Sequence, residues 1–241
     1  MAAILAVLMV FLHPVFDTAT ASLLKQGTLG ESGLIGKIVP NWKAGSGAGW
    51  QLVIALVYGF VWDFFQYWAH RLQHVSPQLW PFHRVHHSDP DVNASTAVRQ
   101  SLGHYFISFS LIGLPTLIVC GVNVLDVASA TVLFAGWGYF NHANIRLHLG
   151  PLTPVFSGPQ LHRIHHGIAP DYHNRNFAAF FPVLDVMFGT YRAPRVDEYP
   201  ETGVDDGLGF AAPEFEVFSP ALQSRVADRS NAGAHAAPIA E

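Results

Sequence analysis

The chain has 241 residues, of which half are hydrophobic, 13% aromatic and only 12% charged. Soluble domains carry about 25% charged residues, so this composition argues against an ordinary water-soluble globule, and its apolar content rules out a disordered chain. With 13 Lys and Arg against 17 Asp and Glu, the net charge of −4 excludes a broad basic surface for nucleic acid. The single cysteine, Cys120, permits no internal disulfide and no cysteine-based metal or iron–sulfur site. Histidine is the outlier, at 14 residues.

Four apolar segments follow in chain order: Ala2–Phe16, Trp50–Ala69, His104–Val122 and Val124–Phe140. A helix needs about 20 apolar residues to cross a bilayer core. The last three approach that length and the first is short. Ala19-Thr20-Ala21 reads like a signal-peptidase site after the first segment. No Lys or Arg precedes that segment, however, and His13-Pro14 interrupts it, which favours a short or partial membrane helix. The third and fourth segments, joined at Gly121–Asn123, are expected to form a tight helical hairpin. Four such segments with so few charges favour membrane helices over buried helices of a soluble core. The expected fold class is all-α and integral to the membrane, with three to four transmembrane helices capped by a cytosolic helical site.

Residues 1–195 are expected to form the membrane-embedded catalytic domain, and residues 196–241 an acidic, loosely ordered tail. Residues 197–241 carry nine acids and two arginines. Phe210, Phe215, Val217 and Phe218 give that tail patches able to dock locally.

Eleven histidines lie between His70 and His166. His70 and His74 form an HxxxH spacing. His83, His86 and His87 form HxxHH, and His162, His165 and His166 repeat it. His142 lies between, in Asn141-His-Ala-Asn144. Residues i, i+3 and i+4 share one helix face, so each cluster aims several imidazoles in one direction. If the second apolar segment ends near His70, the clusters and His142 all emerge on one side of the membrane. Arg71, Arg84, Arg99, Arg146, Arg163, Arg175, Arg192 and Arg195 fall on that side too. The opposite loop, Asp17–Gly49, holds three lysines against two acids, so the positive-inside rule puts the histidines in the cytoplasm.

Burying so many imidazoles without partners would be costly, and metal binding is the expected explanation. His13 reads as a packed residue, His235 as tail and His104 as an interface marker, while His148 and His173 are secondary ligand candidates. Imidazole suits zinc, copper, iron and nickel. A structural zinc takes four ligands, and eight or nine suit two ions. Two irons could cycle between Fe(II) and Fe(III), reduce O₂ and attack an unactivated C–H bond. A hydrolytic zinc pair would usually include acids, and none lies inside the clusters, although Asp89 and Asp91 follow closely. Asp63, seven and eleven residues before His70 and His74, shares their helical stripe. An acid inside a membrane segment is often functional, and Asp63 is expected to accept a hydrogen bond from a ligating imidazole. A helix-end or interhelical bond is its alternative. Asp185, Asn141 and Asn144 are weaker candidates for the same supporting role.

Asp63-Phe-Phe-Gln-Tyr-Trp-Ala-His-Arg-Leu-Gln-His74 and His83-Arg-Val-His-His-Ser88 resemble the fatty acid hydroxylase/sterol desaturase superfamily. So do Asn141-His-Ala-Asn144, Gly150-Pro-Leu, Pro159-Gln-Leu-His-Arg-Ile-His-His166 and Phe188-Gly-Thr-Tyr191. Asn93–Ser101 is most similar to its alkylglycerol monooxygenase-like branch. The resemblance spans about Trp50 to Tyr191. It implies an O₂-dependent, integral-membrane di-iron oxidoreductase acting on a lipid. It also implies metal ligation by His70, His74, His83, His86, His87, His162, His165 and His166, with His142 matching the family's additional histidine.

The leading reading is therefore hydroxylation of a lipid C–H bond, with desaturation as the close alternative. Phe64, Phe65, Tyr67, Trp68, Phe106 and Phe109 are candidate linings of an apolar tunnel. The chain shows no flavin, haem or iron–sulfur signature, so an external reductase or electron carrier is expected. A bis-histidine haem protein would need its pairs within facing membrane helices. A metal transporter would need ionisable residues along the membrane path near the midplane, whereas Asp63 lies close to the histidine end of its segment.

Overall fold

A computed structural model describes residues 32–121 and 124–204, with the side chains of 124–127 outside the description. The first apolar segment, residues Val122 and Asn123 of the expected hairpin connection, and the expected tail from 205 onward lie outside the described residues. Among the described residues the secondary structure is helical. The only β pairing among them is one isolated antiparallel bridge between Gly167 and Thr202.

The helices are α1 (Ile35–Ile38), α2 (Ala48–Val75), α3 (Trp80–His87), α4 (Leu102–Ser108), α5 (Leu114–Cys120), α6 (Val124–Asn141), α7 (Pro159–His165) and α8 (Val183–Met187). They divide into two compact units, Met1–Trp62 with Gly113–Val132, and Asp63–Ile112 with Leu133–Glu241. In the first unit, Leu34 N–H donates to Ile118 O (3.1 Å) and Trp42 Nε1 to Ser32 O (2.9 Å). The second unit holds all three histidine clusters.

α2 runs for 28 residues, about 42 Å at 1.5 Å per residue. It exceeds a bilayer core of about 30 Å and continues two turns past the expected apolar stretch, which brings His70 and His74 onto it. Pro77 disfavours helical geometry at Ser76, and the helix stops there. Its C-terminal half is polar inside and apolar outside. Asp63, Tyr67, His70 and Gln73 are buried, whereas Phe64, Trp68, Leu72 and Val75 are exposed. A helix in water shows the reverse pattern.

The third apolar segment is not one uniform helix. α4 passes through a π-helical turn, Phe109–Gly113, into α5. Pro115 has no N–H for the carbonyl four residues back and its ring crowds that carbonyl, so the helix widens just before it. Among the described residues, two helical stretches are long and apolar enough to cross a membrane, Ala48–Val75 and Leu102–Cys120, with mean hydropathies of 1.4 and 1.6. The fourth segment forms α6 as expected.

The core beside the histidines is aromatic. Tyr67, Phe177, Ala178 and Leu184 are buried together, with Phe188 packed against them. Of the expected tunnel residues, Tyr67 belongs to this core, while Phe64, Trp68 and Phe106 are exposed.

Candidate metal centre

α2 supplies His70 and His74. Pro81 opens the first turn of α3, whose far end carries His83, His86 and His87. His142 follows α6 directly. α7 begins at Pro159, carries His162 and His165, and is capped by His166. Pro at the first helical position costs nothing, because that N–H has no intrahelical partner.

These nine histidines converge into two groups. His70, His74, His83, His87 and His165 form the first, and His86, His142, His162 and His166 the second. Within each group, one ring nitrogen per residue lies within 4.8 Å of every other. Eight of the nine are buried and His74 is partly exposed. His148 and His173 join neither group. His148 pairs with Pro194 O and the Gly150 amide, and His173 with Ile168 O. His104 also stays outside, held by Gln73 Oε1 at 2.9 Å and Ser108 Oγ at 3.1 Å while its ring stacks on His83.

The rings are turned by the backbone. Nδ1–H donates from His70 to Phe177 O (2.8 Å), from His86 to Thr96 O (3.1 Å), from His142 to Gly138 O (2.7 Å) and from His165 to Arg175 O (2.8 Å). Such a bond fixes the tautomer and leaves Nε2 as a bare lone pair. Nε2 of His70, His74 and His165 is buried with no hydrogen-bond partner among the described residues. Elsewhere Nε2 faces Nε2, at 3.1 Å for His142 and His86, 2.9 Å for His162 and His142, and 3.2 Å for His166 and His162. At His86 and His142, whose Nδ1 atoms both donate to carbonyls, the facing Nε2 lone pairs repel, and a shared cation between them removes the repulsion. The donor set therefore fits a pair of metal ions.

Burial, with neighbouring imidazoles adding to it, pushes His83, His86, His87, His162 and His166 well below the ordinary histidine pKa. Burial also brings His142 and His165 down to about 4. These rings are neutral near pH 7, as a metal ligand must be.

The expectation for Asp63 needs correcting. Its carboxylate reaches no imidazole. It accepts backbone N–H bonds from Ala179 (2.8 Å), Phe180 (3.0 Å) and Phe181 (2.6 Å). Asp185 accepts from Phe177 (2.7 Å) and Ala178 (2.9 Å) and from Thr190 Oγ1 (2.7 Å). Helical periodicity gave Asp63 and His70 one stripe, but two turns separate them, and a returning loop fills that space. Asn141 Nδ2 donates to Ala179 O (2.7 Å), and Asn144 bonds Asp91, Arg163 and Tyr199. Neither touches a histidine among its hydrogen bonds here.

Past residue 195 the chain fastens to the third cluster. Gln160 Nε2 donates to the carbonyls of Arg195, Val196 and Glu198, and Arg163 Nε to Pro200 O. The Arg163 guanidinium lies 3.9 Å from the Tyr199 ring centre. These contacts were invisible in the sequence, because their acceptors are peptide carbonyls that every residue carries.

The chain is similar to an alkylglycerol monooxygenase of Danio rerio, at 35% identity over 65% of this chain and 33% of that protein. It is similar to the human alkylglycerol monooxygenase at 33% identity, over 54% of this chain and 29% of that protein. It is also 29% identical to ornithine lipid hydroxylase OlsE of Rhizobium tropici, over 70% of this chain and 52% of that protein. The chain thus spans about a third of the length of the first two relatives and about half of the third. No solved structure gives a significant match. The fatty acid hydroxylase model matches residues 55–190, a stretch that contains all nine clustered histidines and both buried aspartates. The chain belongs to the fatty acid hydroxylase family.

Proposed function

We propose that this protein is a membrane-bound, O₂-dependent lipid hydroxylase whose nine clustered histidines hold two iron ions. The observation that carries the reading is the convergence of those histidines into a group of five and a group of four, with ring nitrogens within 4.8 Å in each. The names of the relatives, two monooxygenases and a lipid hydroxylase, support the reaction class.

The balanced reaction takes a lipid C–H bond, O₂, two electrons and two protons to a lipid alcohol and water. An iron pair supplies the oxidising chemistry when bound. The protein holds His70, His86, His142 and His165 by Nδ1 and keeps the rings neutral. The electrons come from an external reductase or electron carrier. The substrate is a lipid, reached from the bilayer through the apolar outer faces of α2 and α4. We place three to four spans in the membrane and the histidines on the cytoplasmic side, by the excess of Arg on their side. Residues 1–195 form the catalytic domain, with residues 196–204 fastened to it.

Desaturation is the neighbouring outcome, because removal of a hydrogen begins both reactions. Expression with a reductase, followed by untargeted lipid mass spectrometry, separates them. A gain of about 16 mass units in one lipid class marks hydroxylation and a loss of about 2 marks desaturation. An unchanged lipid profile, with iron present and electrons supplied, would reject the enzymatic reading in favour of metal storage or transport.

A further inference from the structure

The two histidine groups differ in their access to the outside. A cavity of about 300 Å³ is floored by His74, His87 and His165, all from the first group. No member of the second group lines it. His74 is also the one clustered histidine that is partly exposed, whereas all four members of the second group are buried.

The walls set what can enter. Trp80, Ile168 and Val204 make them apolar, and His173 and Asn174 stand at the exposed rim. His173 Nε2 is engaged by Ile168 O at 3.1 Å. No Lys, Arg, Asp or Glu is among the residues lining the cavity, so nothing there recognises a phosphate or a strongly charged group. At about 30 Å³ per water the volume suits a small molecule. It lies at the bottom of the range for drug-sized ligands, too small for a lipid with its chain.

We infer that this cavity admits a small ligand to the first group alone: dioxygen in turnover, or azide in its place, whose charge is balanced by the metal ion and not by the cavity walls. The first group is the ligand-exchanging position, and the second is closed. This rests on the reading of the nine histidines as ligands to two ions.

The test uses the full-length protein loaded with cobalt(II), whose visible spectrum reports a change in coordination. The wild type takes two cobalt ions per chain, and azide shifts the spectrum with a stoichiometry of one. Ile168→Trp fills the cavity without touching a ligand. It leaves cobalt at two per chain and weakens azide at least tenfold. Val204→Trp does the same from a second lining position, should the first variant fold poorly. His162→Ala removes a ligand of the second group, and the remaining cobalt still binds azide with nearly wild-type affinity. If the wild type cannot hold two cobalt ions, the dinuclear reading fails. If it holds two but azide ignores both cavity-filling changes, or disappears with His162→Ala, the assignment of access to the first group is wrong while the dinuclear reading stands.

Discussion

Asp63 on α2 and Asp185 on α8 divide five successive backbone amides between them. Asp185 takes Phe177 and Ala178, and Asp63 takes Ala179, Phe180 and Phe181. The same strap presents Phe177 O to His70 and Ala179 O to Asn141, and lies just beyond the Arg175 O that meets His165. The two carboxylates thus hold histidines they never touch. Asp63→Asn keeps the shape but brings an NH₂ group against backbone N–H donors. Loss of a buried hydrogen-bond partner costs about 1–3 kcal/mol, and supporting residues of metal sites are typically worth 10–100-fold in affinity. Asp63→Asn and Asp185→Asn should both fold, melt lower and bind metal 10–100-fold more weakly. Metal titration alongside thermal melts checks this, and wild-type affinity in a destabilised variant would show that the strap is structural only.

His86→Ala tests the ligand set directly. It removes one of four rings in the second group, with His148 and His173 already committed elsewhere. Metal per chain should fall from two toward one, and lipid oxidation should fall with it. His235→Ala should leave both unchanged. Elemental analysis of the purified variants decides, and full metal content in His86→Ala would remove that ring from the site.

The metal-free protein should be acid-sensitive. His142 and His165 have folded pKa values near 4 against about 6.5 in an unfolded chain. Between those values the unfolded state binds more protons, so stability falls as pH drops from about 6.5 toward 4. The other buried rings of the cap, shifted the same way, steepen the loss. Melting curves of the metal-free protein at pH 7 and pH 5 should differ by several degrees. Since the rings are already neutral at pH 7, metal binding there should release few protons, which an indicator dye in weak buffer can count.

A cysteine placed at Ser88 in a Cys120→Ala background should label from one face of the membrane, and one at Asn123 from the other. Labelling of Ser88 and Asn123 from one face would break the hairpin topology on which the cytoplasmic assignment depends.

The histidine clusters were legible because imidazole at i, i+3 and i+4 has few structural uses, and spacing identified eight of the nine residues that the fold brings together, with His142 added by its place between them and by the family resemblance. α2 was legible from its apolar run, and the stripe of Asp63, His70 and His74 carried the helical reading through its last turns. The role of Asp63 was misread for a physical reason. Periodicity reports which residues share a face, not which distant segment folds onto it, and residues 177–181 arrive from more than a hundred positions away. The widening before Pro115 was foreshadowed only by the proline. The fastening of residues 196–204 had no sequence signal, because composition says nothing about a carbonyl's direction.

Orientation of the rings by peptide carbonyls has a consequence for engineering. Thr96, Gly138, Arg175 and Phe177 contribute their main chains, so no substitution at those four positions deletes the acceptor. A neutral carbonyl also leaves less electron density on the ring than a carboxylate partner would. The nine rings themselves carry no charge, so any cation they hold keeps its full formal charge. Altering that balance means moving the polypeptide path. The residues through which it can be moved, Asp63 and Asp185, are set back from the rings they steer.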